Sequence, residues 1–74
     1  MNPNHNESKH EKFVRIAKRR TESIVKEISL LSNLSNTGNY EYTKDEIEKI
    51  FRAISKETKR AKALFDKNSI KFDF

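Results

Sequence analysis

The chain has 74 residues, a net charge of +5, one glycine, one proline and no cysteine. A chain this short forms one domain at most and buries too little surface to be more than marginally stable alone. The lack of cysteine excludes disulfides, thiolate metal ligands and cysteine nucleophiles. With 36% charged residues, the composition predicts a soluble all-α protein that gains stability by association with itself or with a partner chain.

The amino-terminal residues 1–12 are polar and hold no apolar segment of the kind that a signal peptide needs. No apolar run approaches the ~20 residues that span a bilayer. We therefore expect a cytoplasmic location and no membrane association. Residues 1–7 are predicted to form a loose leader.

The first helix is predicted over residues 8–34. Ser8 and Glu11 have the spacing of a capping box, in which each side chain accepts a hydrogen bond from the other residue's backbone N–H. Apolar residues then recur at helical spacing in one stripe: Phe13, Ala17, Ile24, Ile28 and Leu31. Residues 35–42 are predicted to form the connection, because their Ser, Asn, Thr and Gly residues bond to local backbone or tolerate positive φ.

The second helix is predicted over residues 43–67. Thr43 and Glu46 repeat the capping-box spacing. A second apolar stripe follows: Ile47, Ile50, Ile54, Ala61 and Phe65. The remaining residues 68–74 alternate apolar and polar side chains, which indicates an extended tail.

The two stripes predict an antiparallel helical hairpin. One register, centred on the polar connection, pairs each member of the first stripe with a member of the second: Phe13 with Phe65, Ala17 with Ala61, Ile24 with Ile54, Ile28 with Ile50 and Leu31 with Ile47. Each stripe skips one helical turn. The register places the two skipped turns opposite each other, which brings Arg20 near Glu57. These two residues are interpreted either as a partly buried ion pair or as two solvated charges.

Seven further apolar residues lie off both stripes: Val14, Ile16, Val25, Leu30, Leu34, Phe51 and Leu64. A lone hairpin has one interface and would leave them uncovered. We therefore expect a homodimer that forms a four-helix bundle, since twofold dimers are the commonest oligomers. A heterologous partner and a lone, marginally stable hairpin are the alternatives.

The charge is distributed unevenly along the chain. Residues 9–20 hold six basic residues and one acidic residue, residues 56–67 hold five and two, and residues 21–55 hold four and six. A hairpin would bring the two basic segments together at its open end, which suits phosphate binding. The candidate phosphate-binding residues are Lys12, Arg15, Arg19, Lys56, Lys59 and Arg60. Because no DNA-reading motif accompanies them, a solvated charged face is an equally simple interpretation.

The candidate partner-binding residues are chosen because aromatic side chains are common anchors of recognition surfaces. They lie in the connection and in the tail: Tyr40, Tyr42, Ile70, Phe72 and Phe74. The tail could add to a sheet edge or enter a groove. Alternatively, the tyrosines pack at the end of the hairpin, with Tyr42 against Ile47, and the tail is an ordinary chain terminus.

Residues for catalysis or cofactor binding are not apparent. His5 and His10 are spaced poorly for a shared metal on a helix. The sequence shows no Gly-rich phosphate loop and no nucleophile paired with a base. We expect no enzymatic activity, no cofactor and no metal.

Three short motifs resemble those of known proteins: Asn33–Asn36 (NLSN), Asn39–Thr43 (NYEYT) and Lys49–Phe51 (KIF). With these motifs the chain resembles a group of small uncharacterised helical proteins from low-GC Gram-positive bacteria and their plasmids or phages. The resemblance covers the middle third of the chain. It implies a bacterial, mobile-element context and transfers no activity and no site residue.

Together these features favour a small non-enzymatic accessory or regulatory protein that acts through protein–protein contact. Nucleic-acid binding through the basic open end is the alternative. A structural scaffold that assembles into oligomers larger than a dimer is a third class.

Overall fold

The computed structural model describes residues 6–68. Within that range it contains two α-helices, α1 (Lys9–Ser32) and α2 (Lys44–Asn68), and no β-strand. The all-α class predicted from the sequence is therefore confirmed for the described residues. The chain divides between Tyr40 and Glu41 into two units, each built around one helix.

The start of α1 is fixed by a capping box. Ser8 is extended, with φ −73° and ψ 167°. Its hydroxyl accepts a hydrogen bond from the backbone N–H of Glu11 at 3.0 Å, and the Glu11 carboxylate accepts one from the Ser8 N–H at 2.9 Å. The predicted cap is confirmed, and the helix begins one residue after it.

The end of α1 is a tightened turn rather than a simple stop at residue 34. A 3-10 helix, Asn33–Ser35, follows Ser32 directly. The Asn33 N–H donates to the carbonyls of Leu30 and Leu31, so the last α-helical turn narrows into the 3-10 geometry that is common at helix ends.

The turn after the 3-10 helix is organised by Asn36. Its carbonyl accepts hydrogen bonds from the N–H groups of Asn39 and Tyr40, at 3.1 and 3.0 Å. Its side-chain Oδ1 accepts from the Gly38 N–H at 2.9 Å. This Asx turn supplies the local side-chain-to-backbone bonding that the sequence predicts for the connection.

Gly38 serves this turn through its small size. No described residue has a positive φ, Gly38 included, so the connection does not use the tolerance of positive φ that its residue types offer. A Cβ at Gly38 would instead lie 3.2 Å from Oδ1 of Asn36. Glycine therefore allows the Asn36 side chain to approach the backbone closely.

The second helix begins with the same device as the first. The Thr43 hydroxyl accepts from the Glu46 N–H at 3.1 Å, and the Glu46 carboxylate accepts from the Thr43 N–H at 2.8 Å. This capping box is also confirmed. Asp45 and Glu46 lie in the first turn and Lys67 in the last, where each charge is favourable to the helix dipole.

No described side chain is buried. The partly covered apolar residues are Ile16, Ala17, Leu31, Ile47, Ile54 and Ala61, and all but Ile16 belong to the two stripes. Within residues 6–68, neither helix combines the length and the apolar character that a membrane span requires. The described elements are thus two capped amphipathic helices whose apolar faces remain accessible.

Candidate interaction surfaces

The first candidate surface is the apolar face of α1. Its stripe contains exposed large side chains, among them Ile24, which is 59% exposed. Val14 and Val25 widen this face on one flank, and both are exposed. The helix therefore presents an apolar band wider than a single row of side chains.

The second candidate surface is the apolar face of α2. In the carboxyl-terminal part of α2, Phe65 is 62% exposed. Near the start of the helix, Ile50 is exposed as well. Phe51 and Leu64 flank the stripe on opposite sides and are exposed as well. Each helix thus carries an accessible apolar face of its own.

The two candidate tyrosines are exposed, Tyr40 by 47% and Tyr42 by 39%. The backbone of Tyr40 is held by the Asn36 carbonyl, whereas Tyr42 directly precedes the Thr43 cap. The packing of Tyr42 on Ile47 remains a prediction. The other candidate partner-binding residues, Ile70, Phe72 and Phe74, lie outside the described residues.

Among the candidate phosphate-binding residues, Arg15 is bound to a carboxylate. Its Nε donates to Oε2 of Glu7 at 2.8 Å, and its Nη2 donates to Oε1 at 3.0 Å. The Glu7 side chain is only 13% exposed and that of Arg15 is 41% exposed. The hydrogen bond from Arg15 lowers the pKa of Glu7 below its ordinary value of 4.5. The residue before the cap is thereby tied to the second turn of α1.

Arg60 is bound in a similar way. Its Nε and Nη2 donate to the two carboxylate oxygens of Glu57 at 3.0 and 2.6 Å. This hydrogen bond lowers the pKa of Glu57. Glu57, interpreted from the sequence as a neighbour of Arg20, thus has its ion-pair partner one turn away on its own helix.

These ion pairs divide the six candidate phosphate-binding residues into two groups. Arg15 and Arg60 already hold carboxylates in the bidentate geometry that a phosphate would use. The other four have no carboxylate within ion-pair distance among residues 6–68: Lys12, Arg19, Lys56 and Lys59. A phosphate would therefore bind these four residues more readily than Arg15 or Arg60, which are already paired.

Three basic residues that the sequence analysis did not select share a face of α2 with Lys56 and Lys59. They are Lys49, Arg52 and Lys67, and all are exposed. We call these five residues the α2 basic ridge. Counting charge in blocks of sequence concealed the ridge, because its members are spaced three, four, three and eight residues apart. Scanning charge at the helical period of 3.6 residues would have found it.

Metal ligands do not cluster in the described part of the chain. Among residues 6–68 no group of three or more His, Asp or Glu side chains could hold a metal ion. His10 is exposed in the first turn of α1, and His5 lies outside the described residues.

No family model, curated protein or solved structure matches this chain. The motifs that carry the resemblance have structural tasks of their own. Asn36 organises the turn, and Thr43 caps α2. The function is therefore argued from the faces of the two helices.

Proposed function

We propose that the chain is a small non-enzymatic accessory or regulatory protein that acts through protein–protein contact, using the apolar faces of α1 and α2. The observation that carries this proposal is the exposure of both faces, with Ile24 59% and Phe65 62% exposed. Two well-capped helices with accessible apolar faces are typical partners for other helices.

The magnitudes favour apolar contact as the driving force. Fully burying a Leu, Ile or Phe side chain contributes ~1.5–3 kcal/mol. An exposed ion pair such as that of Arg60 and Glu57 contributes ~0–1 kcal/mol. Most of the stability of a helix in a protein comes from packing of its apolar face. Covering the two faces is thus the largest stabilisation open to this chain.

In the proposed arrangement α1 and α2 pair as an antiparallel hairpin, and two hairpins form a homodimeric four-helix bundle. The shared register of the stripes supports the hairpin. The apolar residues off the stripes support a second layer. A further protein is proposed to contact the candidate partner-binding residues: Tyr40, Tyr42, Ile70, Phe72 and Phe74. The resemblance supports a context in bacteria or their mobile elements, and a cytoplasmic location is proposed with it.

Two neighbouring residues of α1 provide a matched test of the apolar face. Ile28 belongs to the stripe, whereas Ser29 lies about 100° around the helix. Ile28→Asp and Ser29→Asp add the same charge at nearly the same distance from the helix end. We expect wild type and Ser29→Asp to show twice the chain mass of 8.7 kDa in analytical ultracentrifugation. Ile28→Asp should associate about a hundredfold more weakly, because it breaks the proposed contact of Ile28 with Ile50 inside each of the two hairpins from which the dimer assembles.

A wild-type protein that sediments as a monomer would contradict the homodimer. Equal effects of the two substitutions would contradict a role for the stripe. Stable species larger than a dimer would instead indicate an assembly scaffold.

A partner contact at the connection is tested separately. The double variant Tyr40→Ala with Tyr42→Ala should lose its partner in a pull-down experiment while its helicity is retained.

Phosphate binding is the second candidate function. It is favoured by the exposed cations that hold no carboxylate among residues 6–68: Lys12, Arg19, Lys56 and Lys59. Arg15 and Arg60 would have to exchange Glu7 and Glu57 for phosphate in order to take part. This exchange makes binding at the basic open end less favourable than a count of charges suggests.

A further inference from the structure

The α2 basic ridge is a single-sign row of charge. Its members, Lys49, Arg52, Lys56, Lys59 and Lys67, are exposed. Between the first and the last of them the helix contains only two acidic residues, Glu57 and Asp66. Glu57 pairs with Arg60, and Asp66 lies 3.5 Å from the amino group of Lys62. Glu57 is thus held by Arg60, which is not a member of the ridge.

Such a row destabilises the helix that carries it. Like charges three or four residues apart repel each other on a helix surface, and Lys56 has such neighbours in both directions, Arg52 and Lys59. At the start of the row, the acids Asp45, Glu46 and Glu48 lie three or four residues before Lys49 or Arg52 and offset part of the repulsion there. Surfaces that only keep a protein soluble usually intersperse the two signs. A bound polyanion would relieve the repulsion that remains between the ridge residues.

The ridge lies on the opposite side of α2 from the apolar stripe. Lys49, Arg52, Lys56 and Lys67 each follow a stripe residue by two positions, and two positions are about 200° around a helix. The ridge therefore stays accessible when the stripe is covered by another helix. If the stripe instead lay on a lipid bilayer, the ridge would point away from the headgroups. This geometry disfavours a membrane surface as the ligand.

The shape of the ridge selects the kind of anion. Its cations form a line over about 27 Å of helix, which fits an extended chain of regularly spaced charges better than one compact phosphate. The ridge has no aromatic side chain for base stacking and no Asn or Gln for reading base edges. We propose that the α2 basic ridge binds the phosphate backbone of double-stranded nucleic acid without sequence preference.

This inference narrows the second candidate function to one face of α2 and does not depend on the protein–protein contact. The test titrates the full chain with a fluorescent random-sequence duplex at about 50 and 200 mM salt. Five phosphate contacts should weaken affinity about 500-fold across that range. Lys49→Gln with Arg52→Gln leaves three contacts and should reduce the loss to about 40-fold. Both substituted residues lie outside the basic segment 56–67.

The matched control is Lys44→Gln with Lys62→Gln. It removes the same net charge from the same helix but on a different face, so the wild-type salt dependence should be retained. A second comparison, Lys12→Gln with Arg19→Gln, tests the basic face of α1. Circular dichroism checks that all variants keep their helicity, which is expected because every substituted side chain is exposed.

Three results would overturn the inference. The first is a wild-type chain that does not bind the duplex even at 50 mM salt, whether or not it binds vesicles of anionic lipid. The second is an equal loss of salt dependence in the ridge variant and its matched control, which would indicate a net-charge effect. The third is a loss confined to the Lys12 and Arg19 variant, which would place the contacts on α1.

Discussion

The two helices begin alike but differ in their charged faces. Both start with a Ser or Thr cap that exchanges hydrogen bonds with a Glu three residues later. On α1, Arg15 is bound by Glu7, and Glu22 lies on the same face as Arg19. On α2, the acids three or four residues from a ridge residue lie only at the start of the row: Asp45, Glu46 and Glu48. The same amphipathic plan therefore leaves α1 with a mixed polar face and α2 with a face that is cationic beyond its first turns.

A second contrast lies in the two Arg–Glu pairs. Glu57 and Arg60 are one turn apart, and both side chains are more than 60% exposed. Glu7 and Arg15 are eight residues apart, and the Glu7 side chain is nearly covered. The first pair is an ordinary surface interaction, whereas the second also fixes the residue that precedes the helix. Similar local geometry thus has different structural consequences.

Substitution of the capping residues tests whether the stability of each helix depends equally on its first turn. Ser8→Ala and Thr43→Ala each remove a hydroxyl that accepts a backbone N–H, and each should lower stability by ~1 kcal/mol. Thermal unfolding followed by circular dichroism measures the loss. Ser55→Ala, in the middle of α2, is the control and should have a smaller effect. The parallel between the helices fails if only one cap substitution lowers the unfolding temperature.

The ion pairs predict a dependence on pH. Because Arg15 and Arg60 lower the pKa values of Glu7 and Glu57, their stabilisation is present above the unfolded pKa, near 4.5. It is lost as the pH falls through the lower folded values. Acid titration of helicity from pH ~6 to ~2 should therefore show less loss in Glu7→Gln and Glu57→Gln than in wild type.

The larger difference is expected for Glu7→Gln, because its carboxylate is the less exposed of the two. Glu27→Gln is the control, since Glu27 has no ion-pair partner among residues 6–68. If Glu7→Gln and Glu27→Gln titrate alike, the tie between the leading residue and α1 does not contribute to stability.

The smallest effects are expected in the turn. Asn36→Ala removes the hydrogen bond to the Gly38 N–H and should lower stability by ~0.5–1 kcal/mol. Gly38→Ala restricts the unfolded chain, which is stabilising because φ is not positive, but crowds Asn36 at 3.2 Å. The two effects oppose each other, so we expect a change within ~0.5 kcal/mol. A large loss for Gly38→Ala in chemical unfolding would mean that Asn36 cannot move aside.

The sequence predicted those features that depend on a few neighbouring residues. The capping boxes at Ser8 and Thr43 follow a four-residue rule, and the helices follow from apolar spacing. The Glu7–Arg15 pair was not predicted, because it depends on the extended conformation of Ser8 directing the preceding residue along the helix. The turn is predicted to be polar, but residue types alone do not specify which side chain bonds to its backbone, and in the structure Asn36 accepts from the Gly38 N–H.

The candidate sites were predicted less completely than the helices. A count of charge by sequence segment separates Lys49 and Arg52 from Lys56, although the three residues share one face of α2. The pairing of Arg15 and Arg60 with carboxylates depends on side-chain geometry, which a count of charges does not contain.

The apolar faces of α1 and α2 are proposed to be covered when two copies of the chain associate. The most direct test is the thermal unfolding of the wild-type chain, followed by circular dichroism over a hundredfold range of protein concentration. Association coupled to helix stability predicts an unfolding temperature that rises with concentration. Full helicity with an unfolding temperature independent of concentration would contradict the claim, since the helices would then be stable without a second copy.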